Sequence, residues 1–249
     1  MKLKHLVSLT HTRAEIEEIF DLARRVKAEP AAYADALRGK SLGMIFQKPS
    51  TRTRVSFEVG MFQLGGHALY LGADEIQIGR GETIADTARV LSRYVDGIMA
   101  RVYSHEDLVE MSRHATIPVI NGLSDLLHPV QALCDFFTLL EKKGRLEGLT
   151  LAYVGDGNNM CHALMLGAVK LGLAIKVAAP QGYEPNQLIV KSAVREAQKL
   201  KTPPPVVTAD PMEAVEGADA VYTDVWTSMG QEAESEARHQ AFQGYMVTP

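Results

Sequence analysis

The sequence predicts an α/β protein of two doubly wound domains, each a parallel β-sheet with helices on both faces. Three observations carry this. Short apolar runs alternate with helical patterns along most of the chain, as parallel strands joined by crossover helices require. The alternation falls into two series that meet near residues 144–148. At 249 residues the chain has reached the size at which single cores stop growing and two domains of common size are expected. The expected domains are residues 1–144 and 145–249.

The first helix starts at Thr12, which with Glu15 forms a capping box; Ile16, Ile19, Phe20, Ala23 and Val26 then make one apolar face. A strand is expected over 41–47, then a helix over 52–64 with Val55, Val59 and Phe62 on one side. Strands at 67–71, 97–102 and 118–121 alternate with helices at 83–95 and 105–114. A long helix over 129–143 has Pro129 in its first turn, where a missing N–H costs little. It ends on Lys142, Lys143 and Gly144, cations and a glycine that suit a helix C-terminus. The second series runs through strands at 149–155, 174–179, 205–208 and 220–225, with helices at 160–171, 186–200 and 212–216.

Composition narrows the function classes. Hydrophobic residues make up 46% and charged residues 22%, as in ordinary soluble proteins, and no apolar stretch is long enough to span a membrane. The net charge of −4 argues against a general nucleic-acid binder. The N-terminus runs directly into a charged amphipathic pattern, unlike a signal peptide, and a cytoplasmic protein is expected. Two cysteines, Cys134 and Cys161, make no disulfide framework, and both read as small buried hydrophobes.

Four segments carry candidate chemistry. In KPSTRTRVSFE a strand ends, a proline turns the chain, and Ser50, Thr51, Arg52 and Thr53 arrive as a helix begins. Helix N-termini offer unpaired N–H groups and partial positive charge, hydroxyls add donors, and a guanidinium can hold two phosphate oxygens. The segment reads equally as an anion site or as an N-cap followed by solvated arginines. In LLHPVQALCD, His128 stands at a helix start with Gln131 in its first turn. A helix N-terminus lowers imidazole basicity, so His128 is either a neutral donor to a carbonyl oxygen or a loop residue beside a proline. Arg101 ends a strand of the first series, where parallel sheets face their ligands, or lies on the surface. The strand-turn-helix YVGDGNN has Gly155 and Gly157 but lacks the third glycine of a dinucleotide fingerprint, and the next strand ends without an acidic residue. Asn158 and Asn159 there serve either a small polar ligand or the turn itself. Finally, in TDVWTSMGQE, Asp224 ends a strand and suits an ammonium group, or else caps the next turn.

Taken together and in this order, these segments resemble the aspartate/ornithine transcarbamylase family. STRTR with SFE, then HPVQ, is similar to the carbamoyl-phosphate signature, and GDGNN with DVWTSMG resembles the ornithine branch. The resemblance implies two α/β domains with the active site in the cleft between them, and the transfer of a carbamoyl group to the δ-amine of ornithine. That is a step of arginine biosynthesis or ornithine catabolism. It implies that Ser50, Thr51, Arg52 and Thr53 hold the phosphate, that Arg101, His128, Gln131 and Gln77 contact carbamoyl phosphate, and that Asn159, Asp224, Ser228 and Met229 contact ornithine. Arg101, His128 and Asp224 would be the catalytic set. No metal or cofactor is implied, and the loop bearing Gln77 implies a homotrimer or a multiple of trimers.

The chain stops at Pro249, whereas the resemblance implies a further segment with a His-Cys-Leu-Pro motif, an arginine and a last helix. The second domain is therefore expected to be incomplete, and little turnover is expected of this polypeptide alone. A carbamoyltransferase for another amine and a non-catalytic carbamoyl-phosphate binder remain alternatives, though a carboxylate at Asp224 argues against aspartate as the acceptor.

Overall fold

A computed structural model describes residues 5–73, 76, 81–227 and 232–248. The chain divides into two compact units, Met1–Val130 and Gln131–Pro249. Among the described residues each unit is built on one four-stranded sheet, and every strand pairing is parallel.

The first unit contains helix α1 (Arg13–Ala28), strand β1 (Ser41–Phe46), α2 (Thr51–Gln63), β2 (His67–Gly72), α3 (Ile84–Tyr94), β3 (Gly97–Arg101), α4 (His105–His114) and β4 (Val119–Leu123). Its strand order is β2-β1-β3-β4. Each strand except the edge is apolar on both faces, as a sheet covered on both sides demands. On one side Ile45, Ile98, Leu108, Met111 and Val119 pack together; on the other, Leu42, Met44, Phe46 and Met99 do. Burying one such side chain contributes about 1.5–3 kcal/mol. The segment before α1 lies beside β4, where Leu6 N–H donates to Val119 O and Asn121 N–H donates to Leu6 O, so the outer strand's backbone groups are partly paired.

The capping box of α1 is present, with both the Thr12 and Glu15 side chains bonded to the opposite backbone N–H. Its buried face is narrower than the spacing predicts: Ile16 and Phe20 are buried, while Ile19 is exposed and Ala23 and Val26 are half-buried. Helix α2 packs Phe57 and Met61 toward the sheet. Val55, Val59 and Phe62 lie on its other side, with Phe62 80% exposed.

The second unit begins within α5 (Pro129–Lys143) and continues through β5 (Thr150–Val154), α6 (Asn159–Leu171), β6 (Ala174–Ala178), α7 (Gln187–Leu200), β7 (Val206–Thr208), α8 (Pro211–Val215), β8 (Ala220–Thr223) and α9 (Ser235–Ala241). The strand order is β7-β6-β5-β8. Helix α6 is almost wholly buried, in keeping with a sequence that is apolar apart from Asn159, His162 and Lys170. Cys161 lies in it and is buried as expected, but Cys134 on α5 is exposed, because it follows Leu133 on the side of the helix turned out of the core. Helix α5 meets α6 at Gly167, where an added Cβ would lie 2.3 Å from a ring carbon of Phe136.

That contact is testable. Gly167→Ala is expected to displace Phe136 and lower the unfolding free energy by about 1–3 kcal/mol, read from urea denaturation; an unchanged midpoint would show that the ring moves aside freely.

Candidate active site

In a doubly wound sheet the ligand crevice opens where successive strands are laid down in opposite directions from a starting strand. In the first unit that point lies between β1 and β3, and in the second between β5 and β8. Of the candidate residues, Ser50, Thr51, Arg52, Thr53 and Arg101 follow or end β1 and β3, and Asn159 and Asp224 follow β5 and β8; His128 comes after β4 and Gln131 lies on α5.

Following β1, Ser50 caps α2 in extended conformation; its Oγ accepts from Thr53 N–H at 3.3 Å and donates to Thr53 Oγ1 at 3.0 Å. Thr51 and Arg52 are exposed in the first turn. Arg54 is committed elsewhere, paired with Glu58 at 2.9 Å and stacked 3.9 Å from the centre of the Tyr70 ring. Arg101 ends β3 directly opposite Phe46, and Gln47 N–H donates to the Arg101 carbonyl at 2.9 Å, so the two chain segments leave the sheet side by side.

Arg101 is only 6% exposed, and its Nε has no hydrogen-bond partner. Burial lowers its pKa from the usual guanidinium value. Among the described residues no carboxylate pairs with it, and a buried cation left so is costly unless an anion reaches it. Lys48, which sequence reasoning passed over, adds to it. Its ammonium lies 4.6 Å from the centre of the Tyr103 ring. Burial and the positive charge of Arg101 lower its pKa, against an opposing pull from Asp125. The only forewarning was its place two residues before Ser50.

His128 is pushed down to about 4, first by burial and then by the positive charge of Arg101. It is therefore neutral at neutral pH, and desolvation and a cation lead the cause, where the sequence pointed to the helix end. The loop that presents it is fixed from below. Ser124 N–H and Asn121 Nδ2 donate to the Leu127 carbonyl, at 3.0 and 3.3 Å, and His105 Nδ1 lies 2.9 Å from Ser124 Oγ.

In the second unit, Asn158 rather than Asn159 occupies the cap of α6: its Oδ1 accepts from Met160 N–H and Cys161 N–H. Its Nδ2 donates to Asp224 Oδ2 at 3.0 Å, joining the ends of β5 and β8. Asn159 is the first residue of α6. Gly157 is required by packing, since a Cβ there would lie 2.2 Å from Pro185 N; this accounts for the second glycine without a nucleotide. After Asp224 the chain is anchored by Arg238, which donates to Trp226 O at 3.1 Å and pairs with buried Asp156 at 2.8 Å. Gln131, at the start of α5, donates from Nε2 to Asp135 Oδ1 at 2.9 Å. Gln77, Ser228 and Met229 lie outside the described residues. Among the described residues no group of three His, Cys, Asp or Glu side chains is placed to hold a metal, and no helix is long and apolar enough to cross a membrane.

The depressed His128 pKa has a consequence for stability. Between pH 6.5 and about 4 the unfolded chain takes up a proton that the folded one refuses, so stability falls as the solution is acidified. The expected loss is on the order of 2 kcal/mol across that window, and His128→Gln should remove this part of the slope in urea titrations at stepped pH. An unchanged slope in the variant would contradict the assignment.

Comparison with known proteins finds matches along nearly the whole chain. Residues 4–141 match the family model for the aspartate/ornithine carbamoyltransferase carbamoyl-P binding domain, and residues 147–249 match the Asp/Orn binding domain. An ornithine carbamoyltransferase of Thermococcus kodakarensis is 55% identical over 95% of this chain and 75% of its own. One of Anoxybacillus flavithermus is 56% identical over 99% of this chain and 79% of its own. The solved structure of ornithine carbamoyltransferase from Pyrococcus furiosus superposes with a TM-score of 0.93 at 53% identity, covering 98% of this chain and 79% of that one. The anabolic enzyme of Campylobacter jejuni gives 0.91 at 38% identity, covering 99% and 80%. With both domains matched in order along its length, the chain belongs to the aspartate/ornithine carbamoyltransferase family.

Proposed function

We propose that the protein transfers the carbamoyl group of carbamoyl phosphate to the δ-amine of ornithine, giving citrulline and phosphate. Two observations carry this reading: in the first unit Arg101 is buried and unpaired by any carboxylate among the described residues, on a strand whose neighbour leads to the hydroxyl-rich N-terminus of α2, and in the second unit Asp224 presents a carboxylate at a strand end. The first is suited to a phosphate and the second to an ammonium group. The names of relatives at 55 and 56% identity point to the same acceptor.

In this reading Ser50, Thr51, Arg52 and Thr53 hold the phosphate through hydroxyls, the first-turn N–H groups and a planar guanidinium. Arg101 and neutral His128 stabilise charge that develops on the carbamoyl oxygen and on the departing phosphate, with Gln131 and Gln77 as further contacts. Asp224, Asn159, Ser228 and Met229 hold ornithine. The neutral δ-nitrogen forms the new C–N bond, the C–O bond to phosphate breaks with its electron pair leaving on oxygen, and the proton lost from nitrogen ends on phosphate. No covalent intermediate with the protein is needed, and much of the acceleration comes from holding two substrates in register. Residues 1–144 are the carbamoyl-phosphate domain and 145–249 the ornithine domain, the whole acting in the cytoplasm. A homotrimer or multiple of trimers belongs to the same proposal; the exposed Val55, Val59 and Phe62 on α2 suit burial against a second copy.

Calorimetry with carbamoyl phosphate, then ornithine, followed by a citrulline assay, tests this. Arg52→Ala is expected to weaken carbamoyl phosphate at least about tenfold. Asp224→Asn should weaken ornithine by about tenfold and leave carbamoyl phosphate unaffected. Failure of the unmodified protein to bind carbamoyl phosphate would overturn the reading. Light scattering in solution that finds only monomer would overturn the trimer.

A further inference from the structure

The end of a glutamine side chain is nearly symmetric in shape but not in chemistry, since one side donates and the other accepts. At Gln131 a neighbour decides between them. Nε2 donates to Asp135 Oδ1 at 2.9 Å, one helical turn along α5. On a solvated face such a pair would matter little beyond helix stability. Gln131 is exposed, but Asp135 is half-buried, with Oδ2 sealed from solvent. The Tyr222 hydroxyl interacts with the same carboxyl group, and Tyr222 is itself stacked 5.8 Å from Tyr153. Burial, with the negative charge of Asp224 added, raises the carboxyl pKa, while hydrogen bonds from Gln131 and Tyr222 act in the opposite direction and favour the charged form. An ionised carboxylate only accepts hydrogen bonds, so it holds Nε2 and leaves Oε1 turned away from it.

We propose that Asp135 is a positioning residue that makes Gln131 a hydrogen-bond acceptor, and so lets the protein select a carbamoyl group, which carries an –NH2 donor, over an acyl group of the same shape that carries none. This rests on the reading of Gln131 as a carbamoyl-phosphate contact. Acetyl phosphate has a methyl group where carbamoyl phosphate has the amino group. Facing Oε1 of Gln131, the amino group is satisfied, and the methyl group leaves the acceptor unpaired. A glutamine free to turn would meet either ligand about equally well. Discrimination then depends on a side chain that touches neither.

Asp135→Asn keeps size and shape but both donates and accepts, so it no longer dictates the orientation of Gln131. Calorimetric titration of the unmodified chain and the variant with carbamoyl phosphate and with acetyl phosphate reads the ratio of the two dissociation constants. The expected result is a fall in that ratio of about tenfold, mostly through weaker carbamoyl phosphate. Gln131→Ala should lower the ratio to a similar extent, and adding Asp135→Asn to it should change the ratio no further. An unchanged ratio in folded Asp135→Asn, or equal and additive losses in the double variant, would overturn the proposal. Should Asp135→Asn fail to fold, an unchanged ratio in Gln131→Ala overturns it instead. If the unmodified chain binds no carbamoyl phosphate, the functional reading itself falls; if it binds without preferring it to acetyl phosphate, only this inference does.

Discussion

The parallel pairing of β1 with β3 and of β5 with β8 is the constraint on which each unit's site depends. From β1 the chain first winds outward to β2 and then returns past β1 to place β3; from β5 it winds to β6 and β7 before returning to place β8. The helices that leave two such neighbouring strands cross to opposite faces, and a crevice is left at their carboxyl ends. Several of the candidate residues lie at those ends. Ser50 and Arg101 flank one reversal, and Asn158 and Asp224 flank the other.

The two crevices are prepared by opposite means. In the first, positive charge is buried with little compensation among the described residues: Arg101 has no partner at Nε, Lys48 is held on the Tyr103 ring with only Asp125 pulling against it, and His128 is kept neutral by burial and by Arg101. Desolvated cations and first-turn N–H groups need little rearrangement to meet an anion, because their cost is already met by the surrounding fold. In the second, the carboxylates are tied to side-chain amides. Asn158 holds Asp224, and Asp135 and Gln131 hold one another. These contacts fix orientation as much as charge. The buried Arg238–Asp156 pair adds rigidity below them, and removing one partner of such a pair would leave an unpaired charge costing about 3–5 kcal/mol.

Much of this was legible in advance. The strand and helix positions followed from local pattern: apolar runs marked the strands, Thr12 and Glu15 marked the start of α1, and Pro129 at one end and Lys142, Lys143 and Gly144 at the other marked α5. The capping box at Thr12 formed as its spacing requires. The reading failed where an apolar residue's neighbour mattered more than its period. Helix α2 carries apolar residues all round, so its spacing does not say that Phe57 and Met61 face the sheet while Phe62 faces out. Cys134 likewise belongs to an apolar run yet lies on its outer side. At the site, Lys48, Asp135 and Tyr222 carried no motif of their own. Their importance comes from what they approach across the fold, which no local window contains.

By itself the sequence determined the alternation of strands and helices, the caps and turns, and the residue types available at each strand end, because these depend on interactions a few residues apart. It also carried the family resemblance, in short segments whose order is fixed along the chain. Only the tertiary structure decided that the strands pair in the orders β2-β1-β3-β4 and β7-β6-β5-β8, and so which strand ends become neighbours. It decided which cation is desolvated, which amide of the Asn158–Asn159 pair caps α6 and reaches Asp224, and which way Gln131 is turned. Burial and long-range pairing set those properties, and both are features of the assembled fold.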